Sequence, residues 1–336
     1  MKKLKKFLAL VLIATVFYSC QKDENITVPV ILTTDVTSIT QITAISGGNI
    51  SADGGATITA RGVCWNTAEN PTINDNKTTD GQGSGEFSSN MTGLTPNTTY
   101  YVRAYATNSA GTGYGEAISI TTQSISFGSF TDPRDEADYQ TVTIGNQVWM
   151  AENLRYLPSV VGPEIGSQTS PQYYVYGYDG TDVNAAKATA NYTTYGVLYN
   201  WPAAMAGSAS STANPSGVQG VCPTGWHLPS DAEWIQLADN LGGESVAGGK
   251  LKETGTTHWN SPNSGATNET GFTALPDGYR RNVGTFTSIG DEGSWWTATE
   301  YDPSNPLYRF MSYDYNNLWS FNLLKQVGFS VRCVKN

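Results

Sequence analysis

The residues Cys222 to Trp234, CPTGWHLPSDAEW, bring together side chains that often carry out chemistry in proteins. His227 and the carboxylates of Asp231 and Glu233 lie close enough in sequence to form a general base and its partners. Cys222 could serve as a nucleophile, a metal ligand or half of a disulfide. The segment is therefore a reaction centre, a ligand site or a structural element, and the rest of the chain decides among these.

The same segment carries the signals of a helix start. Ser230 lies three residues before Glu233, the spacing of a capping box in which each side chain bonds the other residue's backbone N–H. The negative charge of Asp231 in the first turn interacts favourably with the helix dipole. Pro229 keeps the preceding residue out of the helix. Both acids thus have structural roles that explain them without catalysis.

Partners for a catalytic or metal site are few. The chain has two histidines and four cysteines, with no C-x-x-C or H-x-x-x-H spacing and no G-x-S-x-G motif. We expect His227 to satisfy a buried backbone acceptor and His258 to lie in a loop. The sequence predicts no catalytic residue, no metal ligand and no cofactor, and we expect the protein not to be an enzyme.

Aromatic residues give a better indication of function, because most tryptophans and tyrosines follow residue 126. Ring faces pack against sugar C–H groups while neighbouring amides and carboxylates bond the hydroxyls. Six tryptophans lie in strand patterns and are expected in the core: Trp149, Trp201, Trp226, Trp234, Trp295 and Trp296. The polar segment 300–319 is the candidate ligand surface, with the binding residues Tyr301, Asp302, Tyr313, Asp314, Asn316, Asn317 and Trp319. Its oxygen-rich loops leave calcium binding open.

The N-terminus has the features of an export signal. Residues 1–19 contain four lysines and then an apolar run too short to span a bilayer. Ser19-Cys20 resembles a bacterial lipobox, which implies that Cys20 is diacylated and anchors the protein in membrane lipid. Plain secretion with an unmodified Cys20 is the alternative. Residues 20–27 would form a surface tether, since QKDEN resembles the export signal of Bacteroidetes surface lipoproteins and implies a place on the outer membrane, facing the medium.

The amino-acid composition limits which fold classes and which kinds of partner are expected. The net charge is −10, from 29 acidic and 19 basic residues. An acidic surface repels phosphate backbones and gains nothing from counterion release, so nucleic acid is not expected as a partner. Low charge and abundant glycine and aromatic residues favour a fold that is mainly β with some α.

Residues 28–123 show short alternating strands separated by turns, which predicts a β-sandwich. The segment 94–115, LTPNTTYYVRAYATNSAGTGYG, resembles the fibronectin type III family of bacterial extracellular proteins. The resemblance implies a tyrosine corner at Tyr100, with Leu94 and Trp65 in the core. Cys64 is expected to be a small buried or half-buried thiol, and the module to be a spacer.

A second domain is predicted over residues 126–336, after a linker at 123–139. Two strand-like runs meet at Gly145-Asn146, which predicts a hairpin. Residues 231–241, DAEWIQLADNL, place their apolar side chains on one stripe and predict an amphipathic helix.

The second domain resembles the Fibrobacter succinogenes major paralogous domain family. Six motifs occur in order: IGNQVWMAENL, YGVLYNWPAAM, CPTGWHLPSDAEW, GFTALPDGYR, WWTATE and SVRCVK. The resemblance implies an α+β C-type-lectin-like fold after the fibronectin type III-like β-sandwich. It also implies that Cys222 and Cys333, at the disulfide-like ends of that fold, pair with each other.

These features predict a surface lipoprotein whose C-terminal domain binds extracellular ligands, either a glycan or a surface protein, in the manner of an adhesin. An extracellular hydrolase acting on polysaccharide is the alternative. A structural surface component without catalysis is the third hypothesis.

Overall fold

The computed structural model describes residues 25–336, so the predicted export signal and Cys20 lie outside the described residues. Strands far outnumber helices, as the composition predicts. Within residues 25–336, no helix is both long enough and apolar enough to cross a membrane. No sheet contains strands from both halves of the described chain, and the two halves are called here the N-terminal unit and the C-terminal unit.

The N-terminal unit consists of two packed antiparallel sheets. One sheet has the order β1-β2-β5; in the other, β4-β3-β6-β7, strand β8 pairs with the first half of β6. Its strands are β1 (Val30–Thr33), β2 (Ala44–Ala52), β3 (Ala60–Asn66), β4 (Asn76–Lys77), β5 (Gly85–Met91), β6 (Thr99–Asn108), β7 (Gly111–Tyr114) and β8 (Ile118–Thr121).

The core of the N-terminal unit follows the alternating pattern of its strands. Val63, Trp65, Leu94 and Val102 belong to one buried cluster between the sheets. Tyr100 lies at the corner, where its hydroxyl accepts a hydrogen bond from the Thr95 backbone N–H at 3.0 Å. Cys64 is a buried free thiol, as expected, and burial raises its pKa to about 11.

The C-terminal unit combines a five-stranded sheet, β14-β20-β11-β10-β9, with a three-stranded sheet, β17-β18-β19, and two short strand pairs. Its strands are β9 (Phe127–Asp132), β10 (Ala137–Ile144), β11 (Gln147–Met150), β12 (Tyr173–Tyr174), β13 (Leu198–Tyr199), β14 (Trp226–His227), β15 (Asp277–Arg280), β16 (Phe286–Ile289), β17 (Glu292–Asp302), β18 (Asn305–Ser312), β19 (Trp319–Asn322) and β20 (Val334–Lys335). Its helices are α1 (Val183–Lys187), α2 (Ala190–Tyr195), α3 (Trp201–Met205), α4 (Asp231–Asn240) and α5 (Glu244–Leu251).

The first and last strands of the C-terminal unit, β9 and β20, belong to the same five-stranded sheet. The predicted hairpin is present, with Gly145 and Asn146 between β10 and β11, and β11 pairs with β20 near the C-terminus. The linker predicted over residues 123–139 is wrong for most of its length. Residues 127–132 form β9, which pairs with β10, because the sheet gives hydrogen-bond partners to a segment with little periodicity of its own.

Helix α4 begins where the sequence predicts. Ser230 is its N-cap, and the capping box with Glu233 is present in both directions. The apolar face buries Trp234, Leu237 and Ala238, and Trp234 packs on Trp149 with ring centroids 4.7 Å apart. All six tryptophans expected in the core are buried.

The two units are docked against each other rather than strung on a flexible connection. Ile42, which precedes β2, is 1% exposed and belongs to a buried cluster with Ile144 and Leu241 of the C-terminal unit. Across the same interface the Lys250 ammonium donates to the Gly93 carbonyl at 3.1 Å. The N-terminal unit is therefore packed against its neighbour, which the interpretation as a mere spacer did not foresee.

Candidate functional site

The open face of the β17-β18-β19 sheet carries a row of aromatic side chains. Phe310 lies opposite Trp319 in the β18–β19 register, and Tyr308 lies opposite Phe321. Positions two residues apart on a strand share a face, so all four rings are on one side of the sheet. Tyr315, in the turn between these strands, adds a fifth ring. These five residues are called here the aromatic strip.

The rings of the strip are in contact with one another. Ring centroids are 4.9 Å apart for Phe310 and Trp319, 5.6 Å for Phe310 and Phe321, and 4.9 Å for Tyr315 and Trp319. Tyr315 is 53% exposed and Phe321 is 52% exposed, whereas the other three rings are half-buried. Neighbouring aromatic rings that remain open to solvent form a platform for a flat, partly apolar ligand.

Polar side chains border one end of the strip. Asp314 and Asn316 are exposed and Asn317 is half-buried in the turn that precedes Trp319. Their carboxylate and amide groups can exchange hydrogen bonds with a ligand that lies on the rings.

A buried cation fixes the back of the sheet beneath the strip. Arg309 lies between Tyr308 and Phe310 in sequence and therefore points to the opposite face, where its side chain is 1% exposed. Its guanidinium donates to Asp231 Oδ1 at 2.7 Å and to a carboxylate oxygen of Glu244. Asp231 and Glu244 are the first residues of α4 and α5, so one side chain holds both helix N-termini against the sheet.

The turn beside the strip is held by close backbone contacts. A Cβ on Gly248 of α5 would lie 2.1 Å from the Asn317 carbonyl oxygen, so this approach requires glycine. The buried Lys252 ammonium donates to the carbonyls of Ser312 at 2.8 Å and Tyr315 at 2.9 Å. Burial lowers the pKa of Lys252 to about 8.

The Ser312 and Tyr315 carbonyl oxygens thus already accept hydrogen bonds from a cationic side chain. Among residues 25–336 there is also no group of three or more His, Cys, Asp or Glu side chains placed to hold a metal ion.

The structure divides the predicted ligand residues into two groups. Asp314, Asn316, Asn317 and Trp319 lie at the strip or in its turn, whereas Tyr313 is half-buried and packs against the core. Tyr301 and Asp302 lie at the other end of the β17–β18 hairpin, where Asp302 Oδ1 accepts from the Ser304 and Asn305 N–H groups. Asp302 thus organises a turn.

Sequence reasoning missed Tyr308, Phe310, Tyr315, Phe321 and Arg309. The signal that could have found Tyr308, Phe310 and Phe321 is the alternation in LYRFM and WSFN, which puts rings on one face of two strands. Their pairing depends on register, which the sequence alone did not supply.

Comparison with known proteins places the C-terminal unit in a family. The profile of the Fibrobacter succinogenes major domain matches residues 142–335, more than half of the 336-residue chain. The chain belongs to this family. No curated protein matches the sequence.

A similar solved structure is the sensor domain of the anti-sigma factor RsgI4 of Pseudobacteroides cellulosolvens. It is 16% identical, with a TM-score of 0.23, and the match covers 30% of this chain and 98% of that one. A TM-score of this size supports no inference about fold or function.

In this Fibrobacter succinogenes major domain, the segment CPTGWHLPSDAEW is structural. Cys222 is bonded to Cys333. His227 was expected to bond a backbone acceptor, and this is wrong, because its two ring nitrogens lie 2.7 Å from Glu233 Oε1 and 2.8 Å from Asn336 Oδ1. The side chains of His227 and Glu233 are almost fully buried, so the pair is closed to a substrate.

A second polar network lies inside the family's domain. Asn153 Oδ1 accepts from Trp295 Nε1 at 2.8 Å and from Arg332 Nε at 2.9 Å, and Asn153 Nδ2 donates to Asp277 Oδ2 at 2.8 Å. These four residues come from four of the six family motifs. Burial raises the pKa of Asp277 to about 7.

The free energy of unfolding is expected to fall by about 2 kcal/mol between pH 5 and pH 7.5. Between pH 3.8 and about 7 the native Asp277 carboxyl binds a proton that the unfolded state does not bind, so stability declines as the pH rises. Burial lowers the pKa of His227, but the hydrogen bond and charge of Glu233 outweigh this effect and raise it overall. The histidine's contribution, complete below pH 6.5, is therefore also lost as the pH rises.

Urea unfolding at intervals across this range measures the slope. His227→Gln should reduce the slope of the free energy of unfolding against pH above pH 6.5 and leave the slope below pH 6.5 unchanged. A free energy that is constant or rises from pH 5 to pH 7.5 would contradict the assignment.

Proposed function

We propose that this chain is a surface-anchored lipoprotein whose C-terminal unit binds carbohydrate on the aromatic strip. The observation that carries the proposal is the set of contiguous rings on the β17-β18-β19 sheet, of which two are exposed and three half-buried. Rings of this kind pack against the C–H faces of sugars, and the amides of Asn316 and Asn317 suit the hydroxyls. A neutral or weakly polar ligand also fits a chain of net charge −10 better than a polyanion does.

The fold of each unit supports an extracellular role. The N-terminal unit has sheets of three strands and of four strands plus β8, with the Tyr100 hydroxyl bonded to the Thr95 N–H, and these features fit a fibronectin type III-like sandwich. In the C-terminal unit the first and last strands share one sheet next to a disulfide, which fits a C-type-lectin-like fold. Disulfides are typical of proteins outside the cytosol.

The anchor remains a prediction from sequence, since Cys20 precedes the described residues. Diacylation at Cys20 would leave only a few residues before the N-terminal unit begins, and would place the protein on the outer membrane. Metabolic labelling with a fatty-acid analogue tests this, because Cys20→Ser should remove the label and a persisting label would refute the site.

Trp319→Ala is expected to weaken glycan binding by about 10- to 100-fold, because the central ring of the strip is lost. A glycan array followed by calorimetry on residues 21–336 measures the effect. Tyr301→Ala is the matched control, since Tyr301 is 68% exposed on the same sheet but lies in no ring pair of the strip.

Equal loss in both variants, or unchanged binding by Trp319→Ala, would refute the strip as the site. Binding of a surface protein instead of a glycan would identify the other predicted ligand class. Turnover of polysaccharide without stable binding would favour the hydrolase.

A further inference from the structure

A cleft of about 480 Å³ lies between the two units, away from the aromatic strip. The N-terminal unit forms one wall with the start of β2, the end of β5 and the loop before β2. The C-terminal unit forms the other wall with the Gly145-Asn146 turn and the C-terminal end of α4. The lining residues that matter for recognition are Thr40, Ile45, Asn90, Asn146, Gln236 and Asn240.

The lining chemistry selects a neutral ligand rich in hydroxyl groups. Amide and hydroxyl side chains are the most numerous lining residues, although apolar atoms supply more of the lining surface; Asp239 is the one charged lining residue and none is basic. Each amide offers both donors and an acceptor, as sugar hydroxyls require. Ile45 and Met91 add apolar surface for C–H groups, and the volume falls in the range of small-molecule sites.

Several of these polar groups are already oriented. Gln236 donates to Asn146 Oδ1 and its own Oε1 accepts from Asn214 Nδ2 at 2.6 Å. The Thr40 and Thr43 hydroxyls lie 2.8 Å apart. Ordered donors and acceptors reduce the entropy lost when a ligand binds.

One buried donor in the cleft wall has no protein partner. Within residues 25–336, Asn240 Nδ2 is buried and makes no hydrogen bond. A Cβ on Gly145 would lie 2.2 Å from this nitrogen, so glycine at the hairpin turn allows the amide to sit there. This donor is shielded behind the Gly145 backbone, so the hairpin turn and the end of α4 pack closely together at this wall.

The walls are held in place by the docking of the units. The Gly93 N–H donates to the Asn240 carbonyl at 3.4 Å, and Lys250 bonds both Gly93 and Glu269. The buried Ile42 adds an apolar contact between the units. The cleft is thus present before a ligand arrives.

We propose that this cleft is a second binding site, which takes a neutral sugar of one or two rings. The N-terminal unit then contributes directly to recognition through Thr40 and Asn90. The site is independent of the aromatic strip, and each site can fail without the other.

Titrations of the two-domain chain carrying Trp319→Ala test the cleft with the strip disabled. The probes are maltose, cellobiose, xylobiose and diacetylchitobiose, followed by nitrogen-15 NMR of side-chain amides and by calorimetry. We expect one of these sugars to shift the amide signals of Asn90, Asn146 and Asn240.

Adding Asn90→Trp, which fills the cleft from an exposed strand position, should weaken this binding at least about tenfold. Asn146→Ala serves the same purpose if the first variant folds poorly, and Asn74→Ala, an exposed amide elsewhere, should have no effect. The proposal is overturned if none of the four sugars binds Trp319→Ala at millimolar concentration, or if binding survives the cleft variants unchanged.

Discussion

Replacing Cys222 and Cys333 together by alanine is expected to lower the free energy of unfolding by about 4–5 kcal/mol. The bond joins residues 111 positions apart, so it removes a large share of the conformations open to the unfolded chain. Both cysteines are fully buried, and Cys333 directly precedes β20, which pairs with β14 in the segment before α4. Loss of the bond removes the covalent link between that segment and the C-terminal strand.

Urea unfolding under oxidising conditions measures this loss. Cys64→Ala is the matched control, since it removes a buried sulfur that forms no bond to another cysteine, and it should cost only about 1 kcal/mol. A double variant within 1 kcal/mol of the natural protein would show that the disulfide contributes little to folding.

Asp231→Ala is expected to destabilise the protein by about 3–5 kcal/mol. The substitution leaves the Arg309 guanidinium buried with one remaining carboxylate, that of Glu244, whose side chain is 50% exposed. It also removes the acceptor of the Ser320 hydroxyl, at 3.0 Å, and one of the two acids in the first turn of α4. Because Arg309 lies directly behind the aromatic strip, ligand affinity should fall with stability.

Glu244→Ala provides the comparison for this prediction. Its exposed carboxylate is already hydrated, so the loss should be about 1 kcal/mol or less. Thermal and urea unfolding of both variants measure how much each of the two carboxylates contributes to stability. Equal losses would mean that the buried pair with Asp231 is no stronger than a surface ion pair.

Local signals predicted much of the fold. The capping box of Ser230 and Glu233 and the apolar stripe that follows identified α4, because they act within a few residues of sequence. The signal for the turn at Gly145 also lay within a few residues of sequence. Helix α5 was not predicted, since ESVAGGKL contains two adjacent glycines that disfavour helix in isolation. Its Gly248 is explained only by the Asn317 backbone that packs against it.

The candidate site was predictable only in part, because it also depends on contacts between residues that are distant in sequence. Trp319 and its polar turn stood out as an aromatic segment rich in amides. The partnership of Trp319 with Phe310 needs the strand register, and the role of Arg309 needs two helix ends brought to one point. The cleft is made by residues from both units, so no single stretch of sequence contains its pattern.

The burial of Ile42 in the neighbouring unit has a consequence for the history of this chain. Surface modules of many proteins are shuffled as independent pieces, which requires that each piece be soluble on its own. Here a new partner for the C-terminal unit would have to replace one apolar side chain and the contacts of Lys250 with Gly93. The two units are therefore expected to be inherited together, as one evolutionary module.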